Sequence, residues 1–367
     1  MASIAALEHE IGALGQEFHK WRMINVWKHL VNAGSENAAT RIAGHHAVAD
    51  VFSKGGKAKI EEGLTRMIGL QSKLAAEHGS SASKLYFHEG NALGKGIATI
   101  EVNAGGVLDR YFGFKAKLNH TDLLHPSEIM APVGNWGGSV PWDESRQVAA
   151  ICFEPLGMSD VAHGIANKTA TGPGQEFWSR FEPRLKDIPG LMGPRVAAHE
   201  MGHAVHFQLS GTDKIHPEVA EIVSTMQEAL FMKEMAKRIK NPQQSVALLS
   251  DQLNADVATV EQIGKLNFER NAYRYAEQHP GQVIPVTKLW REASGKILGN
   301  NISQAGEHAA MMDARLMLWD QYMYRPGYGS GYLVGWAAAP KLLEKLEADP
   351  AVFQETYRKL LAKGDSL

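Results

Sequence analysis

Apolar residues recur at helical spacing through most of this chain, a pattern that predicts a mainly α-helical protein. Residues 1–32 and 38–78 each carry such a stripe, broken near Gly34 and at Gly79-Ser80, where glycine and serine favour turns. Residues 143–168 read as another helix, followed by a loop from Thr169 to Gly174. From Pro194 the pattern predicts two helices joined by a turn at Gly211-Thr212-Asp213, then long helices over 242–278, 302–322 and 332–363. Ile97–Val102 reads either way: rich in β-branched residues that alternate about Glu101, it is a strand or a brief turn of helix. Gly134–Pro141, with three glycines and a tryptophan, reads as a loop. No internal repeat or low-complexity tract interrupts this order.

One helix carries chemistry as well as packing. Its flanks are small and apolar, with Val196, Ala197 and Ala198 before and Ala204, Val205 and Phe207 after, which suits a buried position. Inside it stands His199-Glu200-Met201-Gly202-His203. Two His four apart lie on one helix face, one turn from each other, so both imidazoles reach a single Zn²⁺. Glu200 is rotated roughly 100° from His199, within reach of a water on the metal's open position, where a carboxylate serves as general base. Gly202 costs about 1 kcal/mol relative to Ala in a helix, which implies that another element or a substrate packs closely there.

A catalytic zinc site takes a third protein ligand and leaves the fourth position open. The next helix offers it: Pro217 suits a first helical position, and Val219, Ile222, Val223, Met226 and Leu230 form one stripe. Glu218, Glu221 and Glu228 lie broadly on one side. Glu221, 18 residues beyond His203, is the expected ligand, with Glu228 as an orienting carboxylate; spacing alone leaves Glu218 open. Two His and a carboxylate suit Zn²⁺, one ion per chain, and also tolerate Co²⁺ or Mn²⁺. Further along, Tyr324-Arg325-Pro326-Gly327-Tyr328-Gly329-Ser330-Gly331-Tyr332 reads as a loop that approaches something closely, its tyrosines offering phenolic donors; an ordinary glycine-rich turn with buried tyrosines is the alternative.

His199-Glu200-Met201-Gly202-His203-Ala204-Val205-His206, followed by Glu221-Ile222-Val223-Ser224-Thr225-Met226-Gln227-Glu228, closely resembles the oligoendopeptidase F and thimet oligopeptidase family of zinc metallopeptidases, in a shortened form. Tyr111–Leu118 with Ala131-Pro132, Leu266–Arg270 and Asp349–Ser366 resemble further segments of oligoendopeptidase F, so the resemblance spans roughly 106–367. It implies a zincin-like, mainly α fold with a helical N-terminal region over 1–105, a catalytic domain over 106–367, a small β element at most and a deep substrate cleft. It implies His199, His203 and Glu221 as zinc ligands, Glu200 as catalytic base, and Tyr328 and Tyr332 as groups that bind substrate and stabilise the oxyanion. His206 belongs to the same pattern, on the substrate side or behind a ligand. The expected activity is cleavage of short peptides, with a catalytically degenerate peptide-binding protein, a zinc carboxypeptidase or a small-ester hydrolase as alternatives. A purely structural zinc would not need Glu200.

The chain also departs from that pattern. The family carries a His shortly before the Gly-Tyr loop, where this chain reads Gln321-Tyr322-Met323, and His308 lies too far upstream to stand in. The strand that precedes the zinc helix in the family is shortened or absent here, since one helix and a Pro183–Pro194 loop fill the space after Trp178. His45-His46, His120 and His125 are expected to pack or face solvent rather than bind metal.

Composition narrows the class without refining the mechanism. A net charge of −2 with 21% charged residues gives no bulk attraction to nucleic acid or anionic membrane, and short peptides remain the expected partners. No apolar run approaches a membrane span, and Met1–Glu10 lacks the features of a secretory leader. The single cysteine, Cys152, excludes an internal disulfide, and the expected location is cytoplasmic. The pattern leaves the oligomeric state open.

Overall fold

The computed structural model describes residues 3–363, apart from 36, 119, 132, 135, 137–139, 187–189, 299–300 and 319–324. In chain order its first helices are α1 (Ile4–Asn25), α2 (Trp27–Ala33), α3 (Ala38–Val51), α4 (Lys57–Glu77), α5 (Ala82–Phe87) and α6 (Ala92–Leu118). Then follow α7 (Trp142–Ile151), α8 (Ser159–Ala166), α9 (Pro173–Leu185), α10 (Met192–Ser210) and α11 (Pro217–Ala236). The last are α12 (Pro242–Gln278), α13 (Val286–Leu298), α14 (Glu307–Ala314), α15 (Gly329–Ala348) and α16 (Pro350–Ala362). Among the described residues no strand forms, only one isolated bridge between Leu124 and Ile302. The fold is mainly α, as the periodicity predicts. No described helix is long and apolar enough to cross a membrane.

Two compact units emerge, Met1–Ala131 with Val257–Ser330, and Pro132–Asp256 with Gly331–Leu367. The boundary expected at 105/106 falls inside α6. In the first unit the stripe over 1–32 ends at Gly34 as expected and is also interrupted at Val26, fully buried, whose backbone leaves the helix at φ −120°. The stripe over 38–78 kinks where Gly55 adopts φ 138°, a conformation open to glycine. Ile97–Val102 is helix: Ile97, Leu108 and Phe112 share the buried face of α6 while Val102 faces solvent. Leu7 and Leu14 of α1 pack against Met67 and Leu70 of α4. Where the chain loses regular structure after α6, Lys115 holds it. Its ammonium, almost wholly buried, donates to the carbonyls of Glu128, Ile129 and Ala131 at 2.7, 2.9 and 2.7 Å.

The second unit is organised around α10, packed by α7, α8, α9, α11 and α16. The span 143–168 splits into α7 and α8, with Gly157 at φ 66° turning the chain between them. Residues 332–363 divide at Asp349, whose carboxylate caps α16 by accepting from the Val352 N–H. The core contains Trp178, Phe153, Met201, Val205, Met226 and Phe231, each at or near zero exposure. Close helix approaches occur where α10 or its partners carry no side chain. A Cβ at Gly202 would lie 2.8 Å from Ser224 Cα on α11, and one at Gly174 of α9 would lie 2.1 Å from the Ala204 carbonyl oxygen. Gly202 is thus explained by a neighbouring helix.

Candidate metal centre

Helix α10 is buried nearly all round, so the polar groups it carries must find partners inside the protein. His199 and His203, one turn apart, bring their Nε2 atoms to 3.2 Å. The Gly202–Ser224 contact draws α11 close enough for Glu221, fully buried, to join them. Glu221 Oε2 lies 3.3 Å from His199 Nε2, and Oε1 lies 3.6 Å from His203 Nε2. Ligand atoms about 2.0–2.1 Å from a tetrahedral zinc stand about 3.3–3.4 Å apart, so the three side chains fit one ion. Among the described residues this is the one group of His, Cys or acidic side chains that converges in this way.

The surroundings set the protonation of these groups. Glu228 Oε1 accepts from His199 Nδ1 at 2.6 Å, which turns Nε2 toward the shared point. Arg195 Nη1 donates to Glu228 Oε2 at 2.5 Å, and Arg195 Nε donates to Asp251 Oδ2 at 2.9 Å. Ser224 Oγ donates to Glu221 Oε2 at 2.9 Å. Burial opposes a charge on His199, but Glu221 and Glu228 outweigh it and raise its pKa well above the usual range. Burial would likewise raise Glu228, yet Arg195 and His199 hold it low. Glu200, half-buried, is pushed up to about 7, by burial first, with Glu221 and Glu228 adding and His199 opposing. A surplus of buried carboxylate around two imidazoles is the electrostatics of a cation site.

Aromatic rings wall the site. Phe177 of α9 meets the His203 ring edge-on at 5.9 Å, and Phe207 stacks on His203 at 6.1 Å. Tyr332 of α15 stacks on His199, with ring centroids 5.9 Å apart and planes 18° from parallel. Helix α15 reaches this position because Gly335 carries no side chain: a Cβ there would lie 2.4 Å from the Glu221 carbonyl oxygen.

Of the residues expected from the sequence, His199, His203 and Glu221 converge, with Glu228 behind His199 and Tyr332 beside it. Glu218 is outside the converging group; its carboxylate contacts His216. His206 is fully buried beside Phe207. Tyr328 belongs to the other unit, in the turn after Arg325, whose guanidinium lies 5.6 Å from its ring centroid. The Gln321-Tyr322-Met323 stretch lies outside the described residues. His308 also belongs to the other unit, against Ser303 and His125. The sequence reading missed Arg195 and Asp251. The signal for Arg195 was a charge within an apolar helix, one turn before His199; nothing marked Asp251, 56 residues further on.

The fold and the clustered side chains define a helical, zincin-like protein. Residues 191–367 match peptidase family M3. The chain is 23% identical over 284 residues to group B oligopeptidase PepB of Streptococcus agalactiae, covering 71% of this chain and 46% of that protein. It is 22% identical over 291 residues to oligopeptidase PepF of Bacillus subtilis, covering 71% and 42%. It thus spans less than half the length of these curated relatives. The structure of oligoendopeptidase F from Enterococcus faecium superposes with a TM-score of 0.64 at 18% identity, over 92% of this chain and 58% of that one. PZ peptidase A superposes with a TM-score of 0.68 at 15% identity, over 97% and 70%. The C-terminal half of the chain is thus similar to peptidase family M3, and the fold is that of oligoendopeptidase F-like peptidases.

Proposed function

We propose that the protein is a zinc-dependent oligopeptidase that hydrolyses peptide bonds within short peptides. The observation that carries this reading is the 3.2–3.6 Å spacing between the His199 and His203 imidazoles of α10, the helix that also presents Glu200, and the Glu221 carboxylate of α11. In this reading His199, His203 and Glu221 hold one zinc ion, and Glu228 with Arg195 orients His199. Zinc, when bound, polarises the scissile carbonyl and makes water acidic enough to be deprotonated near neutral pH.

Glu200 takes the proton from the attacking water as the oxygen–carbonyl bond forms. It then returns that proton to the departing amine nitrogen as the C–N bond breaks, so the step balances with one water consumed. Tyr332 donates its phenolic proton, as a hydrogen bond, toward the developing oxyanion. A well-placed donor of this kind is worth roughly 3–4 kcal/mol. The lone, buried Cys152 is in keeping with a reducing, cytoplasmic setting.

The test is digestion of a mixed short-peptide library, read by mass spectrometry, for wild type and Glu200→Gln, with zinc measured on both. The expected result is internal cleavage by wild type, equal zinc in both, and a rate about 10²–10⁴-fold lower in Glu200→Gln. Trimming from the C-terminus alone would replace the endopeptidase by a carboxypeptidase. Zinc in both without cleavage by either would overturn the enzyme in favour of a peptide-binding protein.

A further inference from the structure

Tyr332 is useful only if its ring stays against His199, and α15 alone does not ensure that. Pro340, inside α15, removes the helical hydrogen bond that the Trp336 carbonyl would accept, so the helix supports itself least just beyond Trp336. Two contacts act from outside. Gly335 seats the helix on α11: a Cβ there would lie 2.4 Å from the Glu221 carbonyl oxygen and 2.6 Å from Thr225 Oγ1, which sets how closely the backbones approach. Closeness does not set rotation about the helix axis. The rotation is held by the Trp336 indole, whose Nε1–H donates to Asp256 Oδ1 on α12 at 2.9 Å. The same carboxylate oxygen accepts from Gln252 Nε2 at 3.2 Å, so the acceptor is itself held in place. Tyr332 precedes Gly335 by three residues and Trp336 by four, so all three lie on one side of α15. A turn of α15 that broke the Trp336–Asp256 bond would carry the Tyr332 ring off His199.

We propose that Asp256 is a positioning residue that, through the Trp336 indole, fixes the rotation of α15 and holds Tyr332 at the site. This rests on the role given to Tyr332 under the proposed function. Asp256 lies outside the converging group of His199, His203 and Glu221. It sits five residues beyond Asp251, which anchors Arg195 and through it Glu228 and His199. One stretch of α12 thereby braces both the metal-binding His and the tyrosine stacked on it, through separate side chains.

The test uses the full chain with Asp256→Ala, Asp256→Asn, Trp336→Phe and Tyr332→Phe, singly and in pairs. Zinc content and thermal unfolding are measured on each, and hydrogen exchange across residues 331–348 is measured on metal-free protein. Asp256→Ala and Trp336→Phe should each lower kcat about tenfold at unchanged zinc content, with the pair no worse than either alone. Asp256→Asn, which keeps a carbonyl acceptor, should recover most of the lost rate. Exchange across 331–348 should quicken in Asp256→Ala and Trp336→Phe but remain as in wild type across α10. In the Tyr332→Phe background, Asp256→Ala should cost nothing further.

If Tyr332→Phe lowers kcat but the Asp256→Ala loss adds to it in full, the positioning role is wrong while the role of Tyr332 stands. If Tyr332→Phe leaves kcat unchanged, the role given to Tyr332 fails and this proposal fails with it. Unchanged exchange across 331–348 in Asp256→Ala would overturn the proposal whatever the rates.

Discussion

Both units bury charged side chains, but they leave those charges in different conditions. In the unit that holds Lys115, the buried ammonium has three N–H bonds and three carbonyls to receive them. Arg41 pairs with Glu128 at 2.7 Å, Arg315 pairs with Glu261, and Glu269 accepts the Gly327 N–H at 2.6 Å. Those bonds fasten helices to one another and to the turns between them. In the other unit, Arg195 and Glu228 are similarly matched, yet the network ends on two imidazole nitrogens and the Glu221 carboxylate, 3.2–3.6 Å apart and facing one another. There two imidazoles and a carboxylate share one point, at spacings that suit a single cation. The contrast teaches that burial and pairing do not mark a functional site; acceptors converging on one point do.

The strongest way to break the comparison is His203→Ala. Removing one of three ligands should abolish stoichiometric zinc, measured by elemental analysis after dialysis against trace metal; retention of one zinc per chain would overturn the ligand assignment. In the other unit, Lys115→Met should leave zinc affinity unchanged and destabilise the fold by roughly 3 kcal/mol, because three buried carbonyls lose their donor. Urea unfolding followed by circular dichroism reads this, and a loss of zinc affinity there would erase the distinction between the two networks. Glu228→Gln should weaken zinc binding about 10–100-fold without abolishing it, since it loosens the partner of His199 but keeps all three ligands. Competition with a chromophoric chelator measures that difference.

The smallest effect concerns pH. Burial lifts the Glu269 carboxyl to about 8, opposed by the Gly327 N–H and by Arg270 and Lys265. A folded pKa above the unfolded value near 4.3 means that the folded state binds the extra proton. Its stabilising contribution is therefore present below about 4.3 and lost as pH rises toward 8. Relative to Glu269→Gln, wild type should lose stability across that window by about 1 kcal/mol or more, read from urea midpoints at pH 5 and pH 8. Parallel stability curves for the two proteins would place the titration elsewhere.

Much of this architecture was legible from spacing. Helix α12 occupies 242–278 as expected, because a proline opens it and the stripe continues through its one interior glycine, Gly264, to Gln278. Helix α13 was left out of the expectation although Val286, Leu289, Trp290, Ala293 and Ile297 form a regular buried stripe. The break at Val26 had no local signal, since it answers to burial of one side chain. The HExxH pair was readable because two imidazoles one turn apart obey helix geometry within five residues. Glu221 was readable as a candidate beside Glu218, and only the packing distinguished them. Gly202 pulls α11 close at Ser224, and Glu221, three residues before it, lands on the imidazoles while Glu218 turns to His216.

The sequence by itself determined the helices, the two imidazoles on one face and the carboxylate that follows the first of them, because each depends on covalent spacing and the helical repeat alone. The tertiary structure decided which glutamate joins the pair, that Arg195 and Asp251 stand behind His199, and that Tyr332 lies over it. These depend on how closely helices distant in sequence approach. At α10, α11 and α15 that distance is set by glycines at 202 and 335, whose missing side chains acquire meaning only once the partner helix is in place.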